Sequence, residues 1–138
     1  MSVPKDQRGK SKCKACTSAC DLCKYTIQII HNPNTFDPKY SRVIDRIEDV
    51  VLDIHISCGN ANDIVVKTEK DMNERISLQK YAYEKCKELL RLIDLAYPLF
   101  KLRWKRIDYW VGETIKTRDL ISAWCKSDYK RYSARLKQ

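Results

Sequence analysis

The chain has 138 residues, a formal net charge of +9, three Gly and four Pro. That length suits one domain with a buried core and is too short for a doubly wound enzyme with inserted loops. So few chain breakers exclude a turn-rich β fold and point to long, uninterrupted helices.

Four cysteines near the start, Cys13, Cys16, Cys20 and Cys23, admit two readings. As CxxC-x3-CxxC they resemble a tetrathiolate zinc knuckle. As a helix they fall at spacings of three, four and three, and the series continues to Ile27 and Ile30 as one apolar seam. The seam reading is favoured. Structural zinc sites usually separate their CxxC pairs by about 12–20 residues. One helix face cannot wrap four thiolates around one ion. Ala15, Ala19 and Leu22 widen the apolar face, and free cysteine packs as a small hydrophobe. The first predicted helix therefore covers about 12–31 and stops at the turn residues His31-Asn32-Pro33-Asn34.

The second predicted helix covers 38–58. Asp37 is its candidate N-cap, with Pro38 at the first helical position. Tyr40, Val43, Ile44, Ile47, Val50, Val51, Ile54 and Cys58 form its stripe, and Gly59-Asn60 suit a C-cap. Residues 59–68 read as a connector. The third helix covers 69–98, with Ile76, Tyr83, Cys86, Leu89, Leu90, Ile93 and Tyr97 as its stripe and Pro98 marking an end or kink. The fourth covers 104–126 through Ile107, Trp110, Val111, Ile115, Leu120, Ile121, Trp124 and Cys125. Segments 1–11 and 127–138 are expected to be basic, flexible ends. The fold class expected is all-α: a single antiparallel up-down-up-down four-helix bundle.

Seven cysteines, an odd number, and the absence of an apolar leader in MSVPKDQRGKSK predict a cytoplasmic protein with reduced thiols and no disulfides. No stretch is long and apolar enough to predict a membrane span. Catalytic motifs are missing: there is no GxSxG, P-loop, HExxH or GxGxxG. His31 and His55 each lack a Glu three residues before, so a carboxylate-histidine di-iron site is not expected either. Neither an enzyme nor a cofactor is predicted.

Charge is the informative signal. Residues 101–138 carry eleven Lys/Arg against four acids, whereas residues 25–100 carry ten against twelve. Lys101, Arg103, Lys105 and Arg106 crowd the start of the fourth helix around Trp104. Lys116 and Arg118 follow, then Lys126, Lys130, Arg131 and Arg135, interleaved with Tyr109, Tyr129 and Tyr132. Cations release counterions from phosphates and aromatic rings stack on unpaired bases, so these ten residues are the candidate nucleic-acid-binding set. The same charge would also suit an acidic protein partner of a scaffolding bundle.

The segments RVIDRIEDVVLDIH, LLRLIDLAYPLFKLRWKRIDYW and LISAWCKSD, within residues 41–128, resemble a family of small four-helix-bundle proteins. That family includes the accessory variability determinant of diversity-generating retroelements and the intervening-sequence proteins of large ribosomal RNA genes. The resemblance implies a non-catalytic, basic accessory protein. It would bind template RNA and a partner reverse transcriptase, and would assemble as a homo-oligomer, a homopentamer in the accessory-determinant branch. Lys101 to Arg106, Lys116 and Arg118 match basic positions of its pattern. The cysteine-rich first helix and the tail after Asp128 are not typical of it.

Overall fold

The computed structural model describes residues 13–136. Among them are four α-helices and no strand: α1 Lys14–Ile30, α2 Ser41–Asp63, α3 Glu69–Leu99 and α4 Trp104–Leu136. Each helix packs on the next, and α1 closes the ring against α4. Cross-helix bonds fix the directions. His31 meets Glu48, Arg46 meets Glu88, Arg75 meets Asp128 and Ser18 meets Thr117, so every neighbouring pair runs antiparallel. The architecture is the expected all-α four-helix bundle.

Local chemistry explains most element ends. Asp37 caps not an α-helix but a single 3₁₀ turn, Pro38–Tyr40, by accepting from the Lys39 N–H at 3.0 Å. The α-helix begins after it, at Ser41. α3 starts on a capping box unread in the sequence. The Thr68 hydroxyl accepts from Asp71 N–H at 3.1 Å, and the Asp71 carboxylate accepts from Thr68 N–H at 3.1 Å. Pro98 sits in the last turn of α3, one residue before its end, where it interrupts nothing further. Lys101 then turns the chain with φ 53°, the left-handed conformation common just past a helix end.

Three expectations need correction. α2 does not stop at Cys58 but runs to Asp63, because Ala61 is fully buried and holds another turn on the bundle. Gly59 and Asn60 are therefore helical, and the connector shrinks to residues 64–68. α4 does not end at 126 but continues to Leu136, so residues 127–136 are not a flexible end. The extra turns are held by Asp128, which is 2% exposed, and by Tyr132 packed against Val66, Met72 and Ile76. The cysteine seam is also out of phase. The buried face of α1 is Ala15, Ser18, Ala19, Leu22, Cys23, Thr26, Ile29 and Ile30, while Cys13, Cys16, Cys20 and Ile27 are only half-buried at its edge. Ser18 and Thr26 look polar in the sequence. They face inward because each has a partner on α4: Ser18 bonds Thr117 at 2.6 Å, and Thr26 accepts from Trp110 Nε1–H at 2.9 Å.

The core runs the length of the bundle through Ile47, Val51, Ile54, Cys58, Cys86, Leu89, Ile93 and Ile121. Phe36, Phe100, Tyr40 and Trp110 plug one end with tilted and edge-on ring contacts. No helix among the described residues is long and apolar enough to cross a membrane.

Candidate nucleic-acid interface

The ten predicted cations do not form one patch. The structure strings them along α4 and the turn before it. Lys101, Arg103, Lys105 and Arg106 lie at the end of the bundle where α3 finishes. Lys126, Lys130, Arg131 and Arg135 lie at the other end, with Lys116 and Arg118 between. At 1.5 Å per residue, Lys105 and Lys130 stand about 37 Å apart along the axis. Lys105, Lys116 and Lys130 nevertheless share a face, because the intervals between them are close to whole numbers of turns. All three are exposed, as is Lys126 at the edge of the same face.

Ion pairing divides the set. Arg118 is bonded to Asp119 at 3.0 Å, and Arg131 to Asp128 at 2.9 Å. The other eight make no ion pair among the described residues. Some acids of α2 and α3 pair with cations of α2 and α3. Glu88 binds Arg46 at 2.7 Å and Lys85 at 3.2 Å, and Asp53 lies 3.9 Å from Lys85. Together Arg46 and Lys85 hold the Glu88 carboxyl below its usual value, overcoming the burial that would raise it. The net positive charge lies on α4 and the turn before it, since residues 25–100 carry ten Lys/Arg against twelve acids. Asp108 and Asp119 interrupt the lysine face without forming a continuous acidic stretch.

Aromatic rings accompany the cations at both ends. Trp104 is 63% exposed, Tyr109 53% and Tyr129 60%. Trp104 stands between Arg103 and Lys105 with its ring available for stacking. Tyr109 packs edge-on against Tyr25 with centroids 4.9 Å apart, so part of its ring is already used. Tyr132 is half-buried, lying under Arg131 and Arg135 and against Arg75.

The cysteines form no knuckle. α1 is continuous through Cys16, Cys20 and Cys23, and among the described residues no group of three or more His, Cys, Asp or Glu side chains is placed to hold a metal ion. Cys13 and Cys16 are joined as a disulfide, against the expectation of reduced thiols throughout. Their three-residue spacing at a helix start brings the Cα atoms to 5.2 Å, within disulfide reach. His55 is exposed on α2, and His31 bonds Glu48 at 2.6 Å across α1 and α2.

A buried polar cluster was missed in the sequence. Arg75 and Gln79 on α3 both bond Asp128 Oδ2, at 2.6 and 2.7 Å, and Arg75 also donates to the carbonyls of Ala61 and Ile64. Arg75 and Gln79 lie on the helical repeat that passes through Ile76, and that position was the available signal. No family model matches the chain, and no curated protein or solved structure matches it. The resemblance to the retroelement accessory family stands on its residue patterns alone.

Proposed function

We propose that the protein is a non-catalytic nucleic-acid-binding accessory subunit whose contact surface is the outer face of α4. The observation that carries this reading is the excess of cations without ion pairs along one long helix and the turn before it, in a segment that carries eleven Lys/Arg against four acids. A helix of 33 residues spans about 50 Å, enough to follow a nucleic-acid backbone over more than one helical turn of a duplex. Lys105, Lys116, Lys126 and Lys130 would contact phosphates without reading bases. Trp104, with Arg103 and Lys105 beside it, would stack on an unpaired base and so favour RNA with single-stranded elements. In its specific form, following the sequence resemblance, the RNA is the template of a diversity-generating retroelement and the partner its reverse transcriptase, served by a homo-oligomer of this chain.

The test is a fluorescence-anisotropy titration with structured RNA and with duplex DNA at several salt concentrations. The expected result is binding with a steep negative slope of log affinity against log salt, reduced by about one for each α4 lysine replaced by Ala. An absence of binding at low salt would refute the reading and assign the charge to an acidic protein partner.

A further inference from the structure

The Cys13–Cys16 pair lies at the end of the bundle where α1 begins, outside the surface proposed for nucleic acid. Its two sulfurs occupy unequal positions. Cys13 is the N-cap of α1, and its Sγ accepts from Cys16 N–H at 3.2 Å. The first-turn N–H groups of a helix lack intrahelical partners and favour negative charge, so they stabilise a thiolate at Cys13. Cys16 Sγ instead lies 3.5 Å from the carbonyl oxygen of Cys58, an acceptor. In the dithiol state that contact is an S–H donated to the carbonyl.

A groove of about 500 Å³ adjoins the pair, lined among others by Cys13, Lys14, Asn62, Trp124 and Arg131. Asp128 also borders it, but its carboxylate is matched by Arg75 and Arg131, so Lys14 gives the rim a positive balance. The remaining thiols are differently placed. Burial pushes Cys23 up to about 11, and Cys58 and Cys86 up to about 12. Cys20 and Cys23 repeat the CxxC spacing one helical stretch later, but inside the helix, where no free N–H groups face them.

We propose that Cys13 and Cys16 form a redox-active dithiol/disulfide couple that exchanges with low-molecular-weight disulfides of acidic character, glutathione disulfide being the probe. The Cys13 thiolate attacks one sulfur of the incoming disulfide. A Cys13–glutathione bond forms, the glutathione S–S bond breaks, and one glutathione thiolate leaves and takes a proton from water. Cys16 then loses its proton and attacks Cys13 sulfur, releasing the second glutathione thiolate. Two electrons pass from the protein to glutathione disulfide, which is reduced to two glutathione thiols. Glutathione carries net negative charge at neutral pH, which suits Lys14 at the groove.

The test uses the full chain equilibrated in glutathione buffers of increasing oxidation. Acid quench, alkylation and peptide mass spectrometry then read each cysteine. Cys13 and Cys16 should oxidise together as one two-electron couple while Cys20 and Cys23 stay alkylatable. Cys16→Ser should accumulate a glutathione adduct on Cys13, and Cys13→Ser at least about ten-fold less adduct on Cys16, in line with the thiolate at the helix end. Serine is a good N-cap, so Cys13→Ser keeps the start of α1, and circular dichroism checks that both variants retain wild-type helicity. The proposal is overturned if Cys13 and Cys16 remain reduced in pure glutathione disulfide, or if Cys20 takes up glutathione as readily as Cys13 in the Cys16→Ser variant.

Discussion

Replacing Asp128 by Ala tests the tertiary argument most directly. Among the described residues its carboxylate is the only anion paired with Arg75, and their side chains are 2% and 9% exposed, with Nε and Oδ2 2.6 Å apart. In Asp128→Ala, Arg75 keeps two backbone carbonyls and lies over the Trp124 and Tyr132 rings, at 5.4 and 5.7 Å, but loses its counter-charge. Gln79 Nε2 loses its acceptor as well, on a side chain whose Oε1 already has no partner. Breaking one side of a buried pair costs about 3–5 kcal/mol. The Arg131 contact adds little, because that side chain is 56% exposed and such pairs are worth about 0–1 kcal/mol. For a chain of this length, 1 kcal/mol moves Tm by about 3.5 °C, so Tm should fall by roughly 10–17 °C. Thermal unfolding followed by circular dichroism reads the loss, and amide exchange shows whether α4 beyond Cys125 opens before the bundle does. The double variant Arg75→Met with Asp128→Leu should return most of the stability, since it removes both charges and fills the volume. A Tm drop under about 3 °C, with unchanged exchange protection over residues 69–79 and 124–136, would refute the claim that this pair docks the end of α4.

Four further outcomes follow from particular residues. Gly59→Ala and Gly112→Ala should each stabilise by about 0.5–1 kcal/mol in urea unfolding, because both glycines are helical and an added Cβ meets nothing within 4 Å. Thr68→Ala should cost about 1 kcal/mol by removing the cap of α3. The Lys67 and Thr68 N–H groups hold the Asp71 carboxyl below its usual value, so its contribution is present above the unfolded carboxylate range and lost as pH falls through the lower folded value. A pH series of urea midpoints for wild type and Asp71→Asn should therefore converge in acid and separate near neutrality. Trp104→Ala should leave Tm within about 1 °C, since its side chain is mostly exposed, yet weaken single-stranded RNA binding by about 1–3 kcal/mol in the anisotropy assay.

Helix number, order and most of the α2 stripe were legible from sequence, because an apolar repeat near 3.6 residues reports a buried face wherever the buried residues are apolar. Ile44, Ile47, Val50, Val51, Ile54 and Cys58 were read from spacing and are all buried. The reading failed where burial is conferred by a partner on another helix. Ser18, Thr26, Arg75, Gln79 and Asp128 are buried polar residues, and no local pattern says that Thr117, Trp110 or each other will satisfy them. The same failure put the end of α4 too early, since Asp128 looks like a solvent residue until Arg75 is placed beside it.

For the candidate interface, the sequence alone determined its composition: which residues carry charge and that the excess lies in the last third of the chain. Only the tertiary structure decided which of those charges are free. Arg118 and Arg131 are consumed by Asp119 and Asp128, and the remaining cations divide between the turn before α4 with its first helical turn and positions further along that helix. It also placed Cys13 on a helix end and Cys20 inside it, though the sequence gives both the same spacing to their partners. Charge and periodicity are properties of the chain taken residue by residue. Pairing, desolvation and a free N–H at a helix start depend on what lies nearby in space, and that is settled when the four helices close against one another.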